Sequence, residues 1–325
     1  MNKINGYLIS FIYALFIVLF LGTYEIDLTN EAKSGDIIQY LYNIEFARNI
    51  DFFQAILYFF PSVLWGSFLY LIAQLFSSEI LIVNFIKFII AFFICLISYR
   101  KTKRKSFILL ILFSTLILEF YIGTLRQGLS TVFFLYGFFH SKLKLKTIFY
   151  IFSILIHPII LWVISIDILA KIISKINKTF RLGKIKISYR FLLLIVVPLL
   201  FIFFLEIFSQ NSIILNLFGY SDGRYSLNQS TGRSIFGFFI WFLMLLIMFF
   251  KKTLYKDEIF SILTLAQVCL LYFSFESIYR LLGSAIVIIL INAINNKSIY
   301  NNLVLTIFLF FTIFHYSVFI QFDKL

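Results

Sequence analysis

From Phe107 to His140 the chain reads FILLILFSTLILEFYIGTLRQGLSTVFFLYGFFH, a long apolar run whose only charged groups are Glu119 and Arg126. Its length and composition predict membrane-spanning helices, and GTLRQGLS, Gly123 to Ser130, interrupts them with an arginine. An arginine at membrane depth is costly unless it is hydrated or paired, which makes Arg126 a functional candidate by default. Gly123 and Gly128 on either side leave room for another backbone or a ligand to approach closely.

The rest of the sequence has the same character. Of its 325 residues 62% are hydrophobic and 13% are charged, and the mean hydropathy is +0.99. An ordinary soluble domain carries about a quarter charged residues. The sequence predicts an all-α, polytopic transmembrane helical bundle forming one integral membrane domain over residues 1–325. Roughly 9–12 apolar segments are expected (about eleven by hydropathy), some of them re-entrant.

The net charge of +13 is distributed in a way that argues against nucleic acid. Five basic residues lie in Arg100–Lys105, three in Lys142–Lys146 and seven in Lys171–Arg190, always between apolar runs. That is the signature of cytoplasmic loops, here about 100–106, 141–147, 170–190 and 251–258. The acidic stretch at about 23–53 and the polar stretch at about 209–234 are expected outside, with the N-terminus cytoplasmic and the first apolar run, Gly6 to Gly22, retained rather than cleaved. Within the first external stretch, DIIQYLYNIEFA spaces Asp36, Tyr40 and Asn43 as on one helix face. A helix resting on the membrane surface is the plain alternative.

Counting each apolar segment as one crossing leaves a basic block outside, whichever side the chain starts on. Two segments must therefore fail to change side. Pro61 and Pro158 are two of only three prolines, and they mark the segments Phe53–Phe76 and Thr147–Leu169 as bent or re-entrant.

With that topology, Asp36, Tyr40, Arg126, Gln127, His157, Arg224, Tyr225 and Arg233 gather on the outward side, with Glu276 and Arg280 at a late turn. Several arginines in one outward cavity suit an anionic group, because guanidinium matches phosphate bidentately and stays charged. Each has a plainer reading: Arg126 snorkelling or capping, His157 a satisfied core histidine, Glu276 and Arg280 an i,i+4 pair, Arg224 and Arg233 on lipid phosphates. Glu119 is a possible partner of Arg126. Lys87, Asp167, Glu206 and His315 read as structural. Cys95 and Cys269 lie in separate apolar runs, and no HExxH, CxxC, GxSxG or Gly-rich phosphate loop is present, so neither metal nor nucleotide cofactor is expected.

The stretch LRQGLSTVFFLYGFF, followed after a basic turn by IFYIFSILIHPIILW, resembles the EpsG family of bacterial polysaccharide polymerases, related in role to the Wzy O-antigen polymerases. Arg126, Gln127 and His157 carry the match, with Asp36, Tyr40 and the Arg280 of ESIYRLLGSAIVIIL at further family-like positions. Pro158 and Gly128 depart from the pattern. The resemblance implies a multi-pass enzyme of the bacterial cytoplasmic (inner) membrane. Such an enzyme joins undecaprenyl-diphosphate-linked oligosaccharide repeat units into O-antigen, capsule or exopolysaccharide, beside a flippase and a chain-length regulator. Arg126 and Arg280 would hold the diphosphate, His157 would be the general base with Asp36 as second choice, and Arg224 and Arg233 would guide the donor, with Gln127, Tyr40, Tyr225 and Glu276 lining the site. The competing functions are a flippase or transporter of the same glycan, a polysaccharide ligase and a membrane acyltransferase.

Overall fold

The computed structural model describes residues 3–24, 31–104, 124–176, 179–182, 185–209, 235–251, 254–273, 278–296 and 298–322. Nearly all of these are helical. Two compact units are formed, Met1–Ile160 and Leu161–Leu325. The expected span Phe107–Tyr121, and Glu119 with it, lies outside the described residues.

In the first unit, α1 (Lys3–Tyr24) packs antiparallel along α5 (Glu79–Thr102). The Arg100 guanidinium lies 4.9 Å over the Tyr7 ring and donates to its hydroxyl, and Phe11 meets Phe88 edge-on at 5.4 Å. α5 has well-formed ends. Ser78 accepts the Leu81 N–H, Glu79 lies in the first turn and Arg100 and Lys101 in the last, each sign of charge opposing the helix dipole. Lys103, at φ 54°, closes the helix in the left-handed conformation. The basic block at 100–106 is thus partly the final turn of α5.

α2 (Glu31–Arg48) forms where Asp36, Tyr40 and Asn43 have helical spacing. It does not lie apart as a surface helix. Ile44 and Ala47 are fully buried, α2 packs on α4 (Val63–Leu75) and α5, and Arg48 pairs with Glu79 while donating to the Phe76 carbonyl at 3.0 Å. The apolar segment Phe53–Phe76 divides at Pro61. α3 (Phe52–Tyr58) starts at a reciprocal cap, Asp51 accepting from the Gln54 N–H and Gln54 accepting from the Asp51 N–H, and folds back against α4. At Gly66 any Cβ would come within 2.8 Å of the Ala55 carbonyl oxygen, so the α3–α4 contact depends on that glycine.

α6 (Leu125–Phe139) is the most enclosed helix of this unit, with Leu125, Gln127 through Val132, Phe134, Leu135, Gly137 and Phe138 buried. It runs beside α5 and folds back on α7 (Leu143–Ile156) as an antiparallel hairpin. The segment Thr147–Leu169 breaks at His157–Pro158, as its proline predicts, and α8 (Ile160–Ser174) follows.

The second unit contains the departure from an all-helical chain. Within the basic stretch 170–190, expected as a loop, β1 (Thr179–Leu182) and β2 (Ile185–Ser188) pair antiparallel with Leu182 opposite Ile185. α9 (Tyr189–Ser209), α10 (Ile235–Phe249), α11 (Lys256–Leu271), α12 (Ile278–Asn295) and α13 (Ile299–Phe322) complete it. α11 is buried almost all round, the mark of a central helix. Glu258 ties its start together: fully buried, it pairs with Lys251, accepts the Tyr255 N–H at 2.8 Å and takes the Asn296 amide at 3.4 Å. Asp167, 1% exposed, pairs with Lys256, and the Trp162 indole donates to Gln267.

Polarity is turned inside out on several helices. α1 exposes Leu8, Phe11, Ile12, Leu15, Phe16 and Leu19 in one stripe while burying Ser10. α9 exposes Leu192, Ile195, Leu199, Leu200, Phe203 and Phe204. Among the described residues one helix, α5, with 24 residues or about 36 Å, is long and apolar enough to cross a bilayer by length and composition.

Candidate functional site

The hairpin of α6 and α7 positions the sequence-predicted site residues of the first unit. Its register is fixed by a reciprocal serine pair. The Ser130 hydroxyl donates to the Ser153 carbonyl at 2.9 Å, and the Ser153 hydroxyl donates to the Ser130 carbonyl at 2.6 Å. Phe134 stacks on Tyr150 at 5.6 Å further along the same seam. In an antiparallel pair, four residues back from Ser130 and four on from Ser153 arrive at one level. Those residues are Arg126 and His157.

Each is held at that level for a local reason. α7 stops at His157 because Pro158 has no N–H to continue the ladder and drives the preceding residue into an extended conformation. His157 has φ −150° and ψ 106°, while its own N–H still bonds to the Ser153 carbonyl at 3.0 Å. The imidazole is therefore fixed at the end of a helix and is 2% exposed. α6 starts at Leu125 after Thr124, whose side chain makes no cap. The Arg126 N–H, one of the orphan donors of that first turn, instead donates to the Tyr40 hydroxyl at 3.4 Å.

Tyr40 thereby links α2 to the start of α6, and its ring meets Trp65 of α4 edge-on at 5.8 Å. Trp65 is 1% exposed. Tyr40 and Arg126 are half-buried, while Gln127 and His157 are buried. At this end of the hairpin an arginine and a phenol are half-buried, and an amide and an imidazole are buried. The helix dipole of α6 adds partial positive charge at the same place. Such a site favours an anion near Arg126 and offers a proton acceptor at His157.

Of the predicted residues, Tyr40 and Arg126 are in hydrogen-bond contact, Gln127 follows Arg126 on α6, and the serine register sets His157 at the level of Arg126. Asp36 lies one turn before Tyr40 on α2, and its side chain is outside the described residues. Arg280 is the third residue of α12, in the second unit, and its side chain is likewise outside the described residues. Arg224, Tyr225, Arg233 and Glu276 fall outside them altogether. Among the described residues no group of three His, Cys, Asp or Glu side chains gathers where it could hold a metal ion.

Sequence reasoning missed the residues that set this geometry: Ser130, Ser153 and Trp65. The signal was present, since Ser130 stands four residues after Arg126 and Ser153 four before His157. Only the hairpin contact gives that symmetry a meaning. Compared with protein-family models, with curated proteins and with solved structures, the chain matches none.

Proposed function

We propose that the protein is a multi-pass enzyme of the bacterial cytoplasmic membrane that polymerises polyprenyl-diphosphate-linked oligosaccharide repeat units. Support for the membrane setting comes from the apolar stripes on α1 and α9, which exceed what a water-facing surface tolerates, and from α5, the one described helix long and apolar enough to cross a bilayer. The observation that carries the catalytic reading is Arg126, bonded through its N–H to Tyr40 and level with His157 at the broken end of the α6–α7 hairpin.

The chemistry asked of this site is a displacement. An acceptor hydroxyl attacks the anomeric carbon of the donor glycan, a new C–O bond forms, and the bond to the diphosphate oxygen breaks. Negative charge grows on the departing diphosphate, where the Arg126 fork and the N-terminus of α6 stabilise it. His157 takes the proton from the acceptor hydroxyl, a role an imidazole nitrogen can fill as general base. Tyr40 and Gln127 orient the reactants, and Asp36 is the second choice of base. Arg280, Arg224, Arg233, Tyr225 and Glu276 stay in the proposal as substrate-contact candidates from the sequence alone.

The test is the surface-glycan profile of a strain lacking the gene, complemented with wild type or with Arg126→Lys. The deletion should leave single repeat units on the lipid or the final acceptor. Arg126→Lys should reach the membrane at wild-type level yet restore no long chains, because an ammonium replaces the planar fork. Absence of any exported repeat unit in the deletion identifies a flippase instead. Wild-type-length polymer from Arg126→Lys would refute the bidentate role.

A further inference from the structure

More positive charge gathers where α5 and α6 end and α7 begins than the fold of the first unit uses. Lys101 donates to the Phe139 carbonyl at 3.2 Å and lies 4.8 Å over the Phe139 ring, which joins the last turn of α5 to the α6–α7 turn. Lys146 lies 5.0 Å over the Tyr150 ring, and Arg100 bonds to Tyr7. Those three cations have structural roles. Lys103, Arg104, Lys142 and Lys144 are all exposed, and none of the four makes an ion pair among the described residues. The sequence has no Asp or Glu between Glu79 and Glu119, nor between Glu119 and Asp167.

Two of these charges oppose local stability. Lys142 occupies the N-cap of α7 without a side-chain bond, at a position that favours Ser, Thr, Asp or Asn, and Lys144 is the second residue of the helix. Cations in a first helical turn are repelled by the positive end of the helix dipole. Leu143, 69% exposed, and Leu145, 38% exposed, alternate with Lys142, Lys144 and Lys146. Water suits the lysines and not the leucines. A lipid–water boundary with anionic headgroups suits both, because the leucines enter the acyl region while the ammonium groups stay at phosphate level.

We propose that this end of the first unit is a binding surface for anionic phospholipid headgroups, formed by Lys103 and Arg104 after α5 and by Lys142 and Lys144 at the start of α7. The inference rests on the membrane setting proposed above and not on the polymerase chemistry. Lipid phosphates supply the counter-charge for these four groups. They also brace the turn of the hairpin whose other end carries Arg126 and His157. The competing role is topological: the charges would keep these turns on the cytoplasmic side during insertion and then simply face water.

The experiment follows thermal unfolding of the purified full chain in a neutral detergent, with phosphatidylglycerol, phosphatidylcholine, inorganic phosphate or polyglutamate added. Wild type should be stabilised by phosphatidylglycerol and by none of the others. Lys142→Gln with Lys144→Gln should unfold at the wild-type temperature or slightly above it without lipid, because the helix dipole is relieved. It should need at least about tenfold more phosphatidylglycerol for the same shift. Lys103→Gln with Arg104→Gln should weaken the response in the same way, and Lys142→Arg with Lys144→Arg should keep it. No response of wild type to phosphatidylglycerol, or an unchanged response in either glutamine variant, overturns the proposal in favour of the topological role. Equal stabilisation of wild type by inorganic phosphate or polyglutamate also overturns it, in favour of a free anion or an acidic protein segment. So does a lower unfolding temperature of Lys142→Gln with Lys144→Gln without lipid, since the lysines then serve the fold. If one glutamine variant does not fold, the other carries the comparison. A wild-type chain that stays folded and dispersed without detergent defeats the membrane reading itself, and the lipid surface with it.

Discussion

Gly137→Ala tests the hairpin on which the site depends. A Cβ at Gly137 falls 2.6 Å from both Cδ1 and Cε1 of Tyr150 and 3.2 Å from the Lys146 carbonyl oxygen. Ordinary carbon contacts lie near 3.5–4.0 Å, so the methyl overlaps the ring by roughly 1 Å. The ring has little freedom to yield. It is 8% exposed, it stacks on Phe134 at 5.6 Å, and the Lys146 ammonium sits 5.0 Å above it. The carbonyl is backbone, so relief there requires α6 and α7 to part. Overpacking of this kind costs about 1–3 kcal/mol, offset by up to about 1 kcal/mol from replacing glycine with alanine in a helix. The net expectation is a loss of about 1–2 kcal/mol. Thermal unfolding of the purified chain measures it, alone and in a Tyr150→Ala background. Gly137→Ala should destabilise the wild type and be neutral or stabilising once the ring is gone. Equal or greater stability in the wild-type background would refute the close packing.

Two further experiments probe the units separately, beside Arg126→Lys. Glu258→Ala leaves Lys251 enclosed without its carboxylate and removes the Tyr255 cap, so unfolding should show a loss of about 3–5 kcal/mol, with a smaller loss for Glu258→Gln. Ser130→Ala and Ser153→Ala each remove one hydroxyl-to-carbonyl bond between α6 and α7, so each should cost about 0.5–1.5 kcal/mol in thermal unfolding. No loss of stability in either variant would dissolve the register that aligns Arg126 with His157.

Local chemistry made part of this architecture readable. Proline has no N–H, which marks Pro61 and Pro158 as break points, although Pro198 lies inside α9 without ending it. The helical spacing of Asp36, Tyr40 and Asn43 likewise identifies α2. What α2 touches was not readable, because packing on α4 and α5 depends on Ile44, Ala47 and Arg48 meeting residues some thirty positions away. The β hairpin was obscured by charge: Ile185, Lys186, Ile187 and Ser188 alternate as a strand does, but the basic run around them reads first as a loop. In the site, Arg126 and His157 stand out by being polar in apolar runs. That they lie at one level follows from the α6–α7 register, which neither helix carries in its own sequence.

The most direct test of the central claim uses lipid-linked repeat units extracted from membranes of the deletion strain and supplied to the purified protein without nucleotide sugars. The account predicts a ladder of longer glycans, with one polyprenyl diphosphate released for each linkage made and no ladder with Arg126→Lys. Intact single repeat units after incubation with the folded wild-type protein would contradict it.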